Sequence, residues 1–398
     1  MTRILIVDDD RLVRKSLATR LRRCPDLDAR FAAGTAEALG VMARQPIDVL
    51  LTDLRMPELG GEVLLKAARR HFPNQIRLAM SGHMDRGGWA RMTPLVHGAI
   101  QKPCSWPKLS GLLRVAVEVQ TRVRSSGALP ALGELDGLPA TPALFVRLGE
   151  ALADPSVGLN EVGAMVEKEP AVAAQVLRIA NSAWLGIPRA VRSIREALTF
   201  LGIVRVRELA LAAELHTALG RRAARAGLDL RRAQADATRT GHLAGRLVHD
   251  AQPDVASTAG LLLGAGTLAL AAAAPAQWRQ VNQRVALGSP DRAQAERDQL
   301  GCEHSAAGAL VLTRWGLPLE IVHAVGMQSV QPSCHPSELD VAAACYVAQR
   351  LTLAHRSHWS QRSSALQELQ AWLDAHGEGP RLAGWRRLTE DAPSTDAT

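Results

Sequence analysis

Residues 4–10 read Ile4-Leu5-Ile6-Val7-Asp8-Asp9-Asp10, four apolar residues that give way at once to three aspartates. Residues 49–53 repeat this arrangement as Val49-Leu50-Leu51-Thr52-Asp53. A short, continuous apolar run predicts a strand that is buried on both faces, as in a parallel sheet covered by helices. The carboxyl ends of neighbouring parallel strands meet at one edge of such a sheet. We therefore expect these aspartates to lie close together at that edge.

Strand and helix patterns alternate on either side of these two runs. The other predicted elements are strands at 76–80 and 99–101 and helices near 11–23, 62–71, 87–96 and 106–122. Alternation of strands with helices is typical of a doubly wound α/β fold with a parallel sheet. Residues 1–122 are predicted to form a domain of this class.

Three carboxylates at one sheet edge, those of Asp8, Asp9 and Asp53, form a candidate metal site. They repel one another unless a cation lies among them, and Mg²⁺ prefers ligand sets made only of oxygen atoms. Ser81 and Lys102, which end two later strands, would complete a site for a phosphoryl group. In this interpretation Asp53 is the nucleophile that forms an acyl phosphate. Mg²⁺ and Lys102 neutralise charge, and the Ser81 hydroxyl donates a hydrogen bond.

Several sequence features follow one another at the predicted strand ends. They are Asp8-Asp9, Asp53-Leu54-Arg55-Met56-Pro57, Gly60-Gly61, Ser81 and Lys102-Pro103. Together they resemble the receiver domain of two-component response regulators over residues 3–120. The resemblance implies a flavodoxin-like fold with five strands, Asp53 as the phosphoacceptor, Mg²⁺ as the cofactor and a sensor histidine kinase as the partner. It also implies that Asp9, Asp53 and the backbone carbonyl of Arg55 ligate Mg²⁺, while Asp8 acts directly or through water.

Helix N-caps and a surface lysine are the alternative interpretation, because Asp is common at helix starts. That alternative suits a single aspartate but not five positions in the expected order. One position departs from the receiver pattern. The family usually has an aromatic residue three positions before Lys102 that rotates inward on phosphorylation, whereas this chain has Ala99, with His97 as the nearest ring. Phosphorylation is therefore predicted, and the usual transmission of the signal is not.

The composition changes after residue 122. Residues 123–140 are rich in Gly, Pro and Ser, which suits a linker and the entry to a second domain. Residues 141–355 have apolar residues at three- and four-residue spacing and predict an all-α domain. Residues 356–398 predict a helical extension that ends in a disordered tail.

Four motifs of the helical region occur in a characteristic order. They are Leu138-Pro139-Ala140-Thr141-Pro142, Glu169-Pro170-Ala171, Val176 to Ala183 and Arg207-Glu208-Leu209-Ala210-Leu211. Their order resembles the HDOD domain, a signalling relative of the metal-dependent HD hydrolases. From the residues alone, Asn181 and Ser182 end an amphipathic helix and predict a turn that fixes the next helix.

The positions where HD hydrolases hold metal carry other residues in this chain. The expected His-Asp pair is replaced by Leu263-Gly264, and the paired histidines expected after residue 325 are replaced by Gln328 and Ser329. Leu and Gly side chains offer no ligand atoms. The resemblance therefore implies an HD-like helical domain that is catalytically inactive.

The remaining histidines could still suggest a metal site. His242 and His304 match other histidine positions of the family and are expected to be core or pocket residues. His249-Asp250 suits either a metal site or the end of a helix. The helix end is favoured, because the helix dipole favours His there and Asp suits the turn.

The net charge of +8 is confined to the first domain. Residues 1–122 carry 20 Lys and Arg against 12 Asp and Glu, which leaves 27 residues of each sign in 123–398. Because Lys and Arg that neutralise phosphates supply most of the affinity for nucleic acids, a nucleic-acid-binding output is disfavoured. One local cluster is either a patch for an anionic ligand or a solvated helix face. It consists of Arg221, Arg222, Arg225, Arg231 and Arg232.

The expected function is phosphorylation-controlled signalling, in which the second domain binds a downstream signalling protein or a small effector. A metal-dependent phosphodiesterase for cyclic nucleotides and a nucleic-acid-binding regulator are the alternatives, and the oligomeric state is left open. Five scattered cysteines without a Cys-x-x-Cys pair indicate reduced thiols and a cytoplasmic protein. No segment is expected to reach the roughly 18 apolar residues of a membrane span.

Overall fold

The computed structural model describes residues 1–82, 92, 95–128, 132, 142–154, 156–181, 191–249, 252–286, 292–356 and 364–390. The chain divides into two compact units. The first consists of Met1–Ser125, Gly149–Val157 and Leu312–Leu319, and the second of Ser126–Leu148, Gly158–Val311 and Glu320–Thr398.

The first unit is built on a parallel five-stranded sheet with the strand order β2-β1-β3-β4-β5. Its strands are β1 (Thr2–Val7), β2 (Leu27–Ala32), β3 (Val49–Asp53), β4 (Ile76–Ser81) and β5 (Gly98–Gln101). Its helices among the described residues are α1 (Arg11–Leu21), α2 (Thr35–Arg44), α3 (Gly61–His71) and α4 (Trp106–Ser125). This architecture confirms the predicted α/β class with a five-stranded parallel sheet.

The continuous apolar runs are buried as their sequence predicts. Ile4–Val7 in β1 and Val49–Leu51 in β3 have no exposed surface. The pattern of β2 differs, because it is an edge strand in which only Ala32 is buried. Its sequence, Leu27-Asp28-Ala29-Arg30-Phe31-Ala32, therefore lacks the apolar run that marks the central strands. The helix predicted near 87–96 lies mostly outside the described residues.

The described residues after residue 141 form helices and no strand, which confirms the predicted all-α class. The longest helix, α8, is broken at Gly202, whose φ of 76° is not helical. The helices are α5 (Ala143–Ala153), α6 (Leu159–Glu167), α7 (Pro170–Ala180), α8 (Ile194–Arg225), α9 (Leu230–Leu247), α10 (Pro253–Leu262), α11 (Ala265–Ala273), α12 (Pro275–Ala286), α13 (Arg292–Leu300), α14 (His304–Trp315), α15 (Leu319–Met327), α16 (Val341–Arg356), α17 (Ser364–Ala375) and α18 (Arg381–Glu390).

Asn181, in the turn after α7, links the end of that helix to the segment before α8. Its side-chain amide donates to the carbonyl of Val191 at 2.7 Å, and its side-chain carbonyl accepts from the backbone N–H of Val191 at 2.6 Å. The amide also donates to the carbonyl of Leu177 at 2.9 Å. One side chain thus satisfies backbone groups on both sides of the turn, as the sequence interpretation of Asn181 requires.

One stretch, Pro253–Ala273, is by length and composition apolar enough to cross a membrane. This corrects the expectation that no segment would reach the length of a membrane span. It comprises two helices, α10 and α11, and 78% of its most apolar window is buried inside the protein. Helices that are apolar on all sides are also found at the centre of large helical domains. Packing within the helical core explains the composition of this stretch.

Candidate functional site

The end of the parallel sheet brings Asp8 and Asp53 side by side. Val7, the last residue of β1, pairs with Thr52 of β3, so that the residue after each of them is an aspartate at the same level of the sheet. Asp8 is fully buried, Asp53 is nearly so, and Asp9 is exposed. One carboxylate oxygen from each of the three lies within 4.8 Å of the others. The three aspartates therefore converge as the sequence predicts.

Lys102 connects two of these carboxylates. Its Nζ lies 2.6 Å from Oδ2 of Asp8 and 2.5 Å from Oδ2 of Asp53. Burial by itself lowers the pKa of Lys102, but the hydrogen bonds and negative charges of Asp53 and Asp8 outweigh it, and the pKa of Lys102 is raised. The lysine is therefore a cation at neutral pH and balances part of the charge in the cluster.

The second oxygens of the buried carboxylates are held by the backbone. Oδ1 of Asp53 accepts from the N–H of Arg55 at 3.0 Å, and Oδ1 of Asp8 accepts from the N–H of Asp10 at 3.0 Å. These bonds orient both carboxylates and place the backbone of Arg55 beside Asp53. Ser81 ends β4 with its side chain buried, and its carbonyl accepts from the N–H of Lys102 at 2.7 Å. The five predicted side chains thus occupy the ends of β1, β3, β4 and β5.

The loop after Asp53 is positioned by residues whose role the sequence analysis missed. A Cβ at Gly61 would lie 2.0 Å from the carbonyl oxygen of Asp53, so only glycine allows α3 to begin this close to the site. Thr35 Oγ1, at the start of α2, donates to the carbonyl of Leu59 at 2.6 Å. The pair Gly60-Gly61 was a sequence signal for the close approach, whereas Thr35 is distant in sequence and gave none.

Position 99, where receiver domains usually have an aromatic residue, carries the small side chain of Ala99. Ala99 pairs with Ala79 in the sheet. His97 is buried, and its Nδ1 accepts from the backbone N–H of Arg77 at 2.9 Å. Burial, and after it the charge of Arg77, holds the pKa of His97 at about 3. His97 is therefore a neutral, hydrogen-bonded imidazole.

Leu263 and Gln328, two positions where the HD resemblance implies metal ligands, lie next to each other in the helical part. The side-chain amide of Gln328 donates to the carbonyl of Leu263 at 3.1 Å and to that of Val325 at 2.9 Å. The Gln328 carbonyl oxygen Oε1 accepts from Nε2 of Gln349 at 2.6 Å. Arg350 donates to the backbone carbonyl of Gln328 at 2.7 Å. Hydrogen bonds of Gln328 thus join the ends of α10 and α15 to α16.

The predicted histidines are dispersed. His304 begins α14, and its backbone N–H and Nδ1 both contact Oε2 of the buried Glu296, at 2.9 and 2.6 Å. His242 is half-buried in α9 and makes an interaction there. His249 is exposed after the end of that helix, and its N–H donates to the carbonyl of Leu339. Asp250 lies outside the described residues. Within the described part of the chain, a group of three or more ligands occurs only at Asp8, Asp9 and Asp53.

Comparison with known families assigns both parts of the chain. The response regulator receiver domain matches residues 4–114, and the HDOD domain matches residues 138–330. A response regulator receiver protein of Anaeromyxobacter sp. (strain Fw109-5) is 36% identical over 114 residues, which are 28% of this chain and 47% of that protein. The hydrogenase transcriptional regulatory protein HoxA of Cupriavidus necator is 31% identical over 161 residues, which are 39% of this chain and 32% of HoxA. The matches thus span less than half of each relative.

Among solved structures, a candidate phosphohydrolase from Shewanella amazonensis covers 67% of this chain and 94% of its own, with a TM-score of 0.51 and 23% sequence identity. At that identity the likeness shows the fold alone. The parallel sheet and its aspartate cluster agree with the receiver match, and the helical fold of the second part agrees with the HDOD match. The chain therefore belongs to the two-component response regulators, with an amino-terminal receiver domain and an HDOD domain as its second domain.

Proposed function

We propose that a sensor histidine kinase transfers a phosphoryl group to Asp53 and that this modification controls a non-catalytic HDOD domain. The convergence of Asp8, Asp9, Asp53 and Lys102 at one end of the sheet carries the proposal. Clustered carboxylates joined by one lysine suit a site that holds a cation and a phosphoryl group at the same time.

In the proposed reaction a carboxylate oxygen of Asp53 forms the new bond to phosphorus, and the bond from phosphorus to the donor histidine nitrogen breaks. Lys102 then turns from Asp53 Oδ2 to the phosphoryl oxygens, and the Ser81 hydroxyl donates to one of them. The oxygen-only cluster of Asp8, Asp9 and Asp53, with the backbone carbonyl of Arg55, fits Mg²⁺. Bound Mg²⁺ would supply neutralisation of negative charge on the phosphoryl group.

Replacement of Asp9 tests the proposed ligand set. In Asp9→Ala, one carboxylate of the cluster is lost, and the Mg²⁺ concentration that gives half-maximal phosphorylation should rise by about tenfold or more, as for loss of about 1.4 kcal/mol of binding. The measurement is the rate of labelling by a small phosphodonor as a function of Mg²⁺. Since Asp9 is exposed, the thermal stability should change little. An unchanged Mg²⁺ dependence would contradict the assignment of Asp9.

The network around Gln328 supports a non-catalytic second domain. Leu263 and Gln328 meet through a hydrogen bond between an amide and a carbonyl, and Leu263 is 4% exposed. Leu263 has no side-chain atom that binds a metal, and the amide of Gln328 is already engaged by three hydrogen-bond partners. These two positions therefore do not suit a catalytic ion. We therefore propose a scaffold that binds a downstream signalling protein or a small effector.

The scaffold proposal predicts that the purified protein contains no stoichiometric transition metal and does not hydrolyse cyclic dinucleotides. A helical domain of this size buries enough apolar surface to be stable without an ion, so a chelator should not shift its unfolding transition. The variant Leu263→His/Gly264→Asp should remain inactive. It should lose about 1–3 kcal/mol of stability, because Leu263→His puts a polar ring in place of a buried apolar side chain. Stoichiometric metal in the wild type would contradict the proposed loss of the metal site, and hydrolysis of a cyclic dinucleotide would establish an enzyme instead.

The domain limits expected from composition are part of the proposal: a receiver at 1–122, a connecting segment at 123–140, the HDOD domain at 141–355 and an extension at 356–398. We propose that the protein acts in the cytoplasm. Affinity capture with the full-length protein, with and without a beryllofluoride mimic of the phosphoryl group, tests the control of the second domain. Recovery of the same partners in equal amounts in both states would refute control by Asp53.

A further inference from the structure

Six exposed arginines surround the corner where α8 ends and α9 begins. We call this group the arginine corner. It consists of Arg221, Arg222, Arg225, Arg231, Arg232 and Arg279. Contacts between the helices show that the corner is one surface. Nη1 of Arg279, in α12, donates to the carbonyl of Arg225 at 3.2 Å, and a Cβ at Gly220 of α8 would lie 3.1 Å from Leu230 of α9.

None of these arginines forms an ion pair with any residue that the structure describes. Other exposed arginines of the same unit do pair, such as Arg284 with Asp298 at 3.0 Å. Asp229 accepts from the backbone N–H of Arg232 as the N-cap of α9, and a second acid, Asp236, lies one helical turn after Arg232. Against these two acids the six arginines leave the corner with a positive excess.

The end of α8 does not need these side chains as caps. The N–H of Gly227, at φ 87°, donates to Ala224, and the N–H of Leu228 donates to Ala223. This is the pair of bonds that closes a helix through a left-handed glycine. The carbonyl of Arg225 is satisfied by Arg279. The guanidinium groups of Arg221, Arg222 and Arg225 thus remain available to a ligand.

The start of α9 is an unfavourable place for cations. Arg231 and Arg232 lie in its first turn, where the helix dipole carries positive partial charge. A cation there costs about 0.3–1 kcal/mol at an exposed position. Helix stability therefore does not explain these two residues. A bound anion would be attracted both by their charges and by the positive end of the helix dipole.

Charge outside the corner limits the length of that ligand. Residues 123–398 carry 27 basic and 27 acidic residues, so without the six arginines they have six more acids than bases. A long polyanion such as duplex DNA would meet a net negative surface beyond the corner. A short acidic segment would not. Guanidinium forks match carboxylates with paired hydrogen bonds.

We propose that the arginine corner docks a short segment of a partner protein that is rich in Asp and Glu. The inference rests on the scaffold role proposed for the HDOD domain and specifies the chemistry of its partner. It does not depend on phosphorylation of Asp53, and it is tested on the unphosphorylated full-length protein. The scaffold role has its own tests: stoichiometric bound metal or hydrolysis of a cyclic dinucleotide would refute it, whatever the peptide experiment shows.

The probe is a fluorescent peptide of about ten glutamates that also carries a photo-reactive group. In Arg222→Ala/Arg231→Ala/Arg232→Ala, its affinity at moderate salt should fall by about tenfold, as expected for three exposed charge pairs. Arg195→Ala/Arg246→Ala/Arg387→Ala is the matched control, since it removes three exposed arginines elsewhere and changes the net charge equally. Its affinity should stay within about twofold of the wild type. Cross-links should map to 219–232 and 275–286.

Two results would overturn the proposal. One is equal loss of peptide affinity in the two triple variants, which would mean that the corner is a solvated surface. The other is binding of a short DNA duplex that depends on the corner while binding of the peptide does not, which would make nucleic acid the ligand.

Discussion

Asp53→Asn should reduce labelling of the protein by a small phosphodonor to background, a loss of more than about 100-fold. The amide preserves the shape of the side chain and can still accept from the N–H of Arg55, but it lacks the nucleophilic carboxylate oxygen. Because Lys102 also contacts Asp8, the lysine keeps one of its two carboxylate partners in this variant. The fold should therefore persist, with a change in stability of about 1 kcal/mol.

Asp10→Asn is the matched control for this experiment. Asp10 is exposed and accepts from the N–H of Leu12 at 2.7 Å as the N-cap of α1, a role that asparagine fills equally well. Labelling of this variant should equal that of the wild type, as measured by hydroxylamine-sensitive phosphate on the intact protein. Acyl phosphate that forms in Asp53→Asn at the wild-type level would place the acceptor on another aspartate.

Gly266→Ala should strongly destabilise the helical domain. A Cβ at this position would lie 1.8 Å from the carbonyl oxygen of His304 and 2.6 Å from the backbone nitrogen of Gly308. Both atoms belong to the backbone of α14, which cannot rotate away as a side chain does. Overpacking of a core typically costs about 1–3 kcal/mol, and a clash between backbones belongs at or above the upper end.

The measurement is thermal unfolding of the full-length protein followed by circular dichroism. For a domain of this size, a loss of about 3 kcal/mol lowers the melting temperature by on the order of 10 °C. Gly264→Ala is the control two residues away, since nothing lies within 4 Å of a Cβ there. Its melting temperature should stay within about 2 °C of the wild type. Phosphorylation of Asp53 should continue in both variants and report an intact receiver. Equal melting temperatures for the two variants would contradict the close approach of α11 and α14.

The central strands and the site at their ends could be predicted because their signals are local. An apolar run such as Ile4–Val7 indicates a strand by itself, and an aspartate after it must lie at the strand end. The edge strand β2 could not be recognised in this way. With one edge unpaired and a single buried residue, Ala32, it carries no apolar run, and its existence depends on pairing with β1.

The helical part divides in a similar way. Apolar residues at helical spacing establish the class of the domain. The side chains of Leu263 and Gly264 have no atoms that bind a metal, and this holds in any fold. Which helices approach most closely is a different matter. The contact between Gly266 and His304 joins residues that are 38 positions apart, and nothing in either local pattern specifies it.

The sequence by itself determined the order of the two domains, the residues of the proposed phosphorylation site and the residues at the positions where the HD resemblance implies metal ligands, because each depends on residue type and local spacing. Only the tertiary structure decided that Lys102 bridges Asp8 and Asp53, that Gln328 donates to the carbonyl of Leu263, and that the arginines of α8, α9 and α12 share one corner. These contacts join segments that are distant along the chain. They exist because packing of the whole fold brings those segments together, which no local pattern encodes.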